Sequence, residues 1–435
     1  MERNRHGKAD KRQFGEGIVN ARARQRAFCI TAGPDEADLA ELRELLRTAG
    51  VAVSGELAQR RPKPDPDRYF GKGKLAELKR AAKAADANLI AVDDELLPRQ
   101  ERNLEEEIGL PVIDRTAIIL DIFADHAQSA QGKLQVELAQ LEYNLARMRG
   151  LWTHLERLGA GRMDGGIGTR GPGESQIETD RRLARDRISA LRQRLNRLAQ
   201  NRGVMRAQRD STSLPRVALA GYTNAGKSTL LNALTGAEVG VRDRLFHTLD
   251  PTTRTFELSG RDYLLTDTVG FIEKLPHQLV EAFKATLEET ILADLILHVV
   301  DASAPEQLRL RDMEAVDEVL EEIGAGEKPR LLVFNKVDLL IEEERRETEL
   351  DHPEAVLVSA QEGEGLEGLC ERIEQVFEET LTEVDLLIPY SEGARLHELH
   401  EVAGDLERTD REDGVLVHAK VPSAEMHRFR DLAVA

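Results

Sequence analysis

Apolar side chains recur at helical spacing through the middle of this chain. One series alternates steps of four and three residues, with a final three, and comprises Leu134, Leu138, Leu141, Leu145, Met148, Trp152, Leu155 and Leu158. Such a seam predicts a long helix that packs along a second one. The second helix is predicted from about Gln176, with an apolar stripe of Leu183, Ile188, Leu191, Leu195 and Leu198. The pattern therefore predicts an antiparallel helical hairpin over residues 128–210, with a polar connector from Asn201 to Leu214.

Ahead of the hairpin, short apolar runs alternate with helical patterns. The runs predict strands at Ala27–Thr31, Leu89–Val92 and Pro111–Ile113. The helical patterns lie at Glu36–Ala49, Lys74–Ala85 and Pro98–Ile108. This alternation predicts a small α/β domain over residues 28–127. The polar, basic residues 1–27 before it predict a disordered arm.

After the hairpin, five apolar runs each end at a polar motif. They predict buried strands at Val217–Ala220, Leu264–Thr266, Leu295–Val300, Leu331–Phe334 and Val356–Val358. Buried runs of this length favour a parallel sheet, so we expect an α/β domain over residues 211–382. Residues 383–435 predict a smaller α/β domain with strands at Leu386–Ile388 and Val415–Val421. The predicted fold class is α/β, apart from the helical hairpin.

The loop after the first of these strands has the spacing GxxxxGKS. Gly221 and Gly226 permit a turn that directs backbone N–H groups at phosphates. Lys227 is placed to reach the β- and γ-phosphates, and Ser228 to give its hydroxyl to Mg²⁺. In its strand–loop–helix setting, this spacing predicts a nucleoside triphosphate site.

A second motif, Asp267-Thr-Val-Gly270, begins where the next parallel strand ends. A carboxylate at Asp267 holds the metal ion, usually through water, while the Gly270 N–H senses the γ-phosphate. A threonine from the preceding loop completes the Mg²⁺ shell in the triphosphate state. Thr248, Thr252 and Thr253 all lie between the first helix of this domain and Asp267, and the residues alone leave the choice open.

The motif Asn335-Lys-Val-Asp338 predicts which base is bound. Asp338 can accept hydrogen bonds from the guanine N1–H and 2-amino group, and adenine has neither donor. We expect Asn335 to tie this loop to the phosphate loop and the Lys336 stem to cover the base. A backbone N–H at Ser359-Ala360 is expected to meet the guanine oxygen. GTP is therefore the predicted substrate and GDP the product.

Phe271 stands directly after Gly270. Ras-like GTPases carry a glutamine at this point, which orients the attacking water. A phenyl ring neither donates nor accepts such a hydrogen bond. The site is therefore predicted to be slow by itself and to need an external partner that organises the water or repositions the switch.

The formal net charge of −19 hides a basic central segment. Residues 147–209 contain fifteen arginines against six acidic residues. Between the two helices, residues 159–175 are rich in glycine and include Arg162 and Arg170. A glycine-rich backbone with arginine side chains, at the end of a long helical hairpin, favours close approach to a polyanion. The alternative is a flexible linker without a binding role.

Composition limits the remaining classes. The chain has no run of about eighteen apolar residues and no apolar centre of a secretory signal. Its two cysteines, Cys29 and Cys370, lack metal-ligand spacing and suit a reducing compartment. We therefore expect a cytoplasmic, monomeric protein without a transmembrane segment.

Taken together, these motifs resemble the HflX family of translation-associated GTPases over nearly the whole chain. The phosphate loop GYTNAGKST (221–229), FHTLDPT (246–252) and DTVGF (267–271) resemble the Obg–HflX branch. The stretches YFGKGK, GLPVIDRTAIILDIFA, GKLQVELAQLEYNLARMRG and GGIGTRGPGESQIETDRR resemble HflX itself.

The resemblance implies a set of site residues. It selects Thr248 for the Mg²⁺ shell, ahead of Thr252, and Asn224 resembles the asparagine through which related GTPases use K⁺. The implied catalytic residues are Lys227, Thr248, Asp267 and Gly270, and the implied metal ligands are Ser228 and Thr248. The residues expected at the nucleotide are Gly221, Tyr222, Thr223, Asn224, Ala225, Gly226, Lys227, Ser228, Thr229, Phe246, His247, Thr248, Leu249, Asp250, Asp267, Thr268, Val269, Gly270, Asn335, Lys336, Val337, Asp338, Ser359 and Ala360.

The resemblance also implies a partner. Family members bind the large ribosomal subunit, which stimulates their GTPase activity, and they split or rescue ribosomes; the hairpin and its glycine-rich tip would make the contact. Some also bind ATP at the N-terminal domain, which the sequence leaves open. The residues allow two other readings: a GTP-regulated RNA-binding or RNA-chaperone module that does not act on ribosomes, and a membrane-linked signalling GTPase. The sequence has no lipid-attachment motif that would support a membrane-linked signalling GTPase.

Overall fold

The structure is a computed structural model. The structure describes residues 25–34, 38–148, 172–209, 214–236, 245–246, 251–274, 287–379, 381–403, 406–422 and 426–434. The chain folds as two compact units. The first comprises residues 1–193 with the short segments 244–246 and 274–282, and the second comprises the remainder. The five-part division expected from the sequence stays a prediction.

The first unit contains a parallel four-stranded sheet. Its strands, with spatial order β2-β1-β3-β4, are β1 (Arg26–Gly33), β2 (Ala52–Arg60), β3 (Leu89–Val92) and β4 (Val112–Asp114). Its helices are α1 (Ala40–Thr48), α2 (Lys72–Ala84), α3 (Pro98–Ile108) and α4 (Arg115–His126). Phe28, Ile30, Leu78 and Ile90 belong to the core formed against this sheet. The expected α/β architecture is therefore present.

The sequence pattern missed β2. This strand lies at the edge of the sheet, and its residues are exposed or only partly buried. Because it has no continuous apolar run, its composition resembles that of a loop, and its place is fixed by hydrogen bonding to β1.

Two helices follow, α5 (Ala130–Met148) and α6 (Pro172–Arg209). Helix α6 begins inside the predicted glycine-rich tip and continues through most of the predicted polar connector. The start near Gln176 and the connector from Asn201 were therefore wrong, whereas the helix ends at Arg209, next to the predicted end of the hairpin. Pro172 suits the first helical position, and Arg, Gln, Met and Ala sustain a helix beyond Asn201 although the stretch is polar. The remainder of the tip, including Arg162 and Arg170, lies outside the described residues.

Ion pairs join the flanks of α5 and α6. Glu137 pairs with Arg187, and Glu142 pairs with Arg192. Glu137 and Arg187 each come directly before a buried residue of the apolar stripe, Leu138 or Ile188. Glu142 and Arg192 each come directly after a residue of the stripe. Like flanks face each other in antiparallel helix pairs and unlike flanks in parallel pairs, so these contacts agree with the antiparallel direction.

The second unit contains a six-stranded sheet in the order β10-β9-β8-β5-β7-β6. The strands are β5 (Arg216–Gly221), β6 (Thr252–Leu258), β7 (Arg261–Asp267), β8 (Leu295–Asp301), β9 (Arg330–Asn335) and β10 (Val356–Leu357). All neighbours are parallel except β6, which pairs antiparallel with β7. The helices are α7 (Lys227–Thr235), α8 (Glu306–Glu322), α9 (Glu342–Asp351) and α10 (Leu366–Glu379). Leu219, Leu265, Leu297 and Val333 lie in one core cluster.

The end of the chain has its own core. Strands β11 (Leu381–Ile388), β12 (Leu406–Arg411) and β13 (Gly414–Pro422) form an antiparallel sheet in the order β11-β13-β12, and α11 (Gly393–Val402) and α12 (Met426–Phe429) complete it. The sequence pattern missed β12, because five of its six residues are exposed. No helix among the described residues is both long and apolar enough to cross a membrane.

Candidate nucleotide site

The sequence motifs meet at one edge of the second unit's sheet. Strands β7, β5, β8, β9 and β10 are neighbours in that order and run in parallel. Their carboxyl ends therefore lie along the same edge, where open α/β sheets bind ligands. Gly221, Asp267 and Asn335 each end one of these strands.

Two glycines are required in the phosphate loop because neighbouring groups leave no room for a side chain. A Cβ at Gly221 would lie 2.2 Å from the Val299 carbonyl oxygen. A Cβ at Gly226 would lie 2.1 Å from Asn335 Nδ2, and Gly226 also has a φ of +92°. The loop thus folds tightly against two neighbouring strands before α7 begins at Lys227.

Lys227 is buried under the loop. Its Nζ donates to the carbonyl oxygens of Gly221, at 2.9 Å, and Tyr222, at 2.7 Å. Burial lowers the pKa of the Lys227 ammonium to about 8, although the Asp267 carboxylate acts in the opposite direction. An ammonium that is poorly solvated and held by carbonyl oxygens alone is ready to exchange them for a phosphate.

Ser228 and Asp267 face each other beside Lys227. The Ser228 hydroxyl donates to Asp267 Oδ2 at 2.6 Å, and the Asp267 side chain is fully buried. The next residue, Thr268, donates from its hydroxyl to the Leu219 carbonyl oxygen on β5 at 2.6 Å. These contacts fix the end of β7 against the phosphate loop.

Asn335 connects the phosphate loop to the motif after β10. Its Nδ2 donates to the Ala225 carbonyl oxygen at 2.9 Å, as expected from the sequence. Its Oδ1 accepts from the Ala360 N–H at 3.0 Å. The side chain is 2% exposed, so one buried amide holds together two loops on opposite sides of β9.

The residues expected at the base cluster around Asp338. Asp338 is exposed, and its Oδ1 accepts from the Ser359 hydroxyl at 2.6 Å. Lys336, with φ +66°, donates from Nζ to Asp301 Oδ2 at 2.6 Å. Asp301 is the last residue of β8. Its register opposite Asn335 explains why it meets the neighbouring lysine.

One detail at this edge differs from the expectation. The backbone N–H groups of Ser359 and Ala360 both donate within the protein, to the Glu364 carbonyl oxygen and to Asn335 Oδ1. Neither is left to meet a guanine oxygen in this geometry. The motif alone identifies the strand end but not the competing acceptors, which are Glu364 in the turn that follows and Asn335 on β9.

The switch residues after β7 are joined to the phosphate loop. Phe271 forms a parallel bridge with Tyr222: its N–H donates to Gly221 O at 3.1 Å, and its carbonyl accepts from Thr223 N at 2.8 Å. The Glu273 N–H donates to the Tyr222 hydroxyl at 2.8 Å. Phe271 itself is buried. The sequence pattern did not foresee this role of Tyr222.

The predicted residues of the earlier switch are only partly described. His247, Thr248, Leu249 and Asp250 lie outside the described residues. The place of Phe246 at the nucleotide stays a prediction; the residue belongs to the first unit. There its ring packs edge-on against Phe123 with ring centroids 4.6 Å apart, and its carbonyl contacts His126 Nδ1 at 2.8 Å.

Three family models match the chain. They are described as GTP-binding GTPase N-terminal, over residues 36–124, GTP-binding GTPase Middle Region, over 126–209, and 50S ribosome-binding GTPase, over 216–336. A protein described as GTPase HflX from Caldanaerobacter subterraneus subsp. tengcongensis is 46% identical over 95% of both chains. The chain belongs to the HflX family. GTPase HflX of Escherichia coli K12 is 44% identical, over 92% of this chain and 93% of its own.

Membership in the HflX family agrees with the geometry of the site. The chain binds guanine nucleotides and is a GTP-hydrolysing enzyme. Among solved structures, a GTP-binding protein from Sulfolobus solfataricus in complex with GDP is 26% identical. It covers 81% of this chain and 98% of its own, with a TM-score of 0.41.

Proposed function

We propose that this GTPase binds the large ribosomal subunit, is activated by it, and acts in splitting or rescuing ribosomes. The observations that carry the proposal are a phosphate site in which Phe271 follows Gly270, and exposed arginines on α6. One of the matching families is that of 50S ribosome-binding GTPases, which supports the choice of partner. The cytoplasm is the expected compartment.

The proposed nucleotide contacts follow from the positions of the polar groups. Lys227 leaves the carbonyl oxygens of its own loop and binds the β- and γ-phosphates, and the Gly270 N–H meets the γ-phosphate. The Asp338 carboxylate accepts from the guanine N1–H and 2-amino group. Ala360 contributes its N–H only by sharing it between Asn335 and the guanine oxygen.

Residues Ser228 and Asp267 fit a magnesium ion. A hydroxyl and a carboxylate are the oxygen donors that Mg²⁺ takes, and they lie 2.6 Å apart at the base of the loop. Ser228 would hold the ion directly, Asp267 through water, and Thr248 in the triphosphate state. The ion would neutralise charge on the phosphates. Asn224 is the proposed contact for K⁺.

Phe271 explains why a partner is needed. The residue is buried, and its backbone bonds to the phosphate loop on both sides. No side chain at this position orients the attacking water, so the free enzyme is slow. Contact with ribosomal RNA then supplies the missing organisation of water or switch.

Helix α6 is the proposed RNA-binding element. Arg182, Arg185 and Arg194 are exposed on it and form no ion pair within the described residues, unlike Arg187 and Arg192. Unpaired guanidinium groups bind phosphates by releasing counterions, which makes the binding sensitive to salt. The glycine-rich tip, residues 159–175, is proposed to make the deepest contact.

GTP turnover with and without purified large ribosomal subunits tests the proposal. We expect at least a tenfold stimulation, because positioning groups that are absent from the free enzyme typically contribute about 10² to 10³ in rate. Small subunits serve as the control for non-specific RNA. Equal turnover under all three conditions would reject the ribosome as activator and favour the GTP-regulated RNA-binding module, which the same arginines also fit.

A further inference from the structure

Thr223 lies at the centre of the phosphate loop, and its hydroxyl has no hydrogen-bond partner. The residue is 6% exposed, and its Oγ1 is buried without a partner in the part of the chain that the structure describes. Its backbone N–H is used, since it donates to the Phe271 carbonyl oxygen at 2.8 Å. The side chain alone is left unsatisfied.

Thr223 lies next to the two residues that are proposed to contact the γ-phosphate, Gly270 and Lys227. A Cβ built on Gly270 would lie 2.9 Å from both Cα and Cγ2 of Thr223, and 3.2 Å from Lys227 Nζ. Thr223, Gly270 and Lys227 therefore surround one small space. Under the proposed function, the Gly270 N–H and the Lys227 ammonium both contact the γ-phosphate, so a phosphate held by them lies beside Thr223.

A buried hydroxyl without a partner destabilises the loop, because it has lost its hydrogen bonds to water. Valine has nearly the same shape and would avoid this cost. The cost is offset when a ligand supplies an acceptor, and a phosphoryl oxygen is a strong one. Such an acceptor is present with GTP and absent with GDP.

We propose that the Thr223 hydroxyl donates a hydrogen bond to a γ-phosphoryl oxygen of GTP and is a further catalytic residue of this enzyme. The inference rests on the nucleotide site proposed above. The hydroxyl keeps its proton throughout. The water oxygen bonds to the γ-phosphorus, the bond to the β–γ bridging oxygen breaks, and GDP leaves with that electron pair. The protons of the water stay on the inorganic phosphate that forms. The hydrogen bond stabilises the charge on the γ-phosphoryl oxygens and makes the loop distinguish GTP from GDP.

The experiment compares full-length Thr223→Val and Thr223→Ser proteins with wild type. Affinities for GDP and for a non-hydrolysable GTP analogue are measured with Mg²⁺ present, together with single-turnover hydrolysis of GTP. Thr223→Val is expected to lower the affinity for the GTP analogue by about tenfold or more, which is the usual loss for one hydrogen bond to a charged group. The affinity for GDP should not change. Hydrolysis falls as well, and Thr223→Ser recovers most of both.

A matched control and a site control separate the outcomes. Thr235→Val removes a hydroxyl whose hydrogen bond, within the described residues, goes to the Leu231 carbonyl oxygen of α7, and it should leave both affinities as they are. An unchanged preference for the GTP analogue in Thr223→Val overturns the proposal. Equal weakening of both nucleotides also overturns it, since it indicates a structural role in the loop. If Lys227→Ala still binds both nucleotides as wild type does, the nucleotide site itself is misassigned.

Discussion

At the scale of single residues, this enzyme keeps several polar groups buried where phosphates are expected. Lys227, Asp267 and Asn335 are each at most 6% exposed. Such burial is costly unless the groups are paired. Here each pairs with a neighbouring loop or strand, so the residues hold one another in place before any nucleotide arrives. Preorganisation of this kind lowers the cost of binding.

The lowered pKa of Lys227 makes a pH-dependent prediction. With a pKa of about 8 in the free protein, the amine loses its proton above that pH, whereas bound phosphate favours the charged form. Binding therefore takes up a proton at alkaline pH, and GDP affinity should fall about tenfold between pH 7 and pH 9. Isothermal titration in two buffers of different ionisation heat measures the uptake.

The same calorimetric experiment near pH 6.5 is the internal control, because Lys227 is already charged at that pH and should take up no proton on binding. The range stops at about pH 9 so that guanine keeps its N1–H. Constant affinity across this range would mean that Lys227 is charged in the free protein throughout. The same shift acts on folding: the unfolded lysine holds its proton to higher pH, so stability rises between the folded pKa and the unfolded one.

At the scale of elements, the site depends on how strands β5, β7 and β9 are held together at their carboxyl ends. Thr268 bonds to β5, and Asn335 bonds to the phosphate loop. Tyr222 and Phe271 extend the sheet contact beyond the strands themselves. Motion of the segment after β7 must therefore break backbone hydrogen bonds to the phosphate loop, which gives this switch a defined closed state.

Gly226→Ala tests this packing. The added Cβ would meet Asn335 Nδ2 at 2.1 Å, at a φ of +92° that side chains rarely adopt. We expect GTP and GDP affinities to fall together by about 100-fold or more, because the contact and the loop conformation are both lost. Binding measured by fluorescence gives the result.

Gly236→Ala is the matched control for this change. Gly236 also has a positive φ, +63°, but nothing lies within 4 Å of an added Cβ. It should cost the end of α7 some stability and leave nucleotide affinity close to wild type. Equal losses in the two variants would assign the effect to backbone strain rather than to the Asn335 contact.

At the scale of the whole molecule, charge is distributed unevenly. The chain carries −19 overall, yet residues 147–209 contain fifteen arginines. Glu137 and Glu142 pair with two of these arginines on α6, whereas Arg182, Arg185 and Arg194 form no ion pair within the described residues. Acidic surface elsewhere repels nucleic acid, so polyanions are directed to this segment.

Neutralising the unpaired arginines should weaken binding to large ribosomal subunits. The double variant Arg182→Gln, Arg185→Gln removes two phosphate contacts, so the affinity falls. The slope of log affinity against log salt concentration becomes shallower, by about two at most. Sedimentation with large subunits over a series of salt concentrations measures both. Hydrolysis of GTP by the free enzyme stays at the wild-type rate.

The control changes the same number of charges on the same helix. Arg187→Gln with Arg192→Gln removes arginines that glutamates already neutralise, so its effect should be smaller. A loss as large as that of the first variant would show that net charge matters and that the position of the arginines does not.

The sequence by itself determined the local chemistry of this protein. The loop from Gly221 to Ser228 is identified by spacing alone, because its turn, its lysine and its hydroxyl all come from one continuous segment. Buried strands such as β5 and β8 were equally readable, since each is a continuous apolar run. Family-specific stretches then extended the reading to nearly the whole chain.

Tertiary structure decided what depends on a distant partner. Edge strands β2 and β12 carry polar, exposed residues, and only hydrogen bonding to a neighbouring strand makes them strands. The N–H of Ala360 donates to Asn335, and Phe246 packs against Phe123, contacts that neither segment reveals by itself. A motif states which groups a segment offers, but competition from residues far away in the sequence decides which of them remain free.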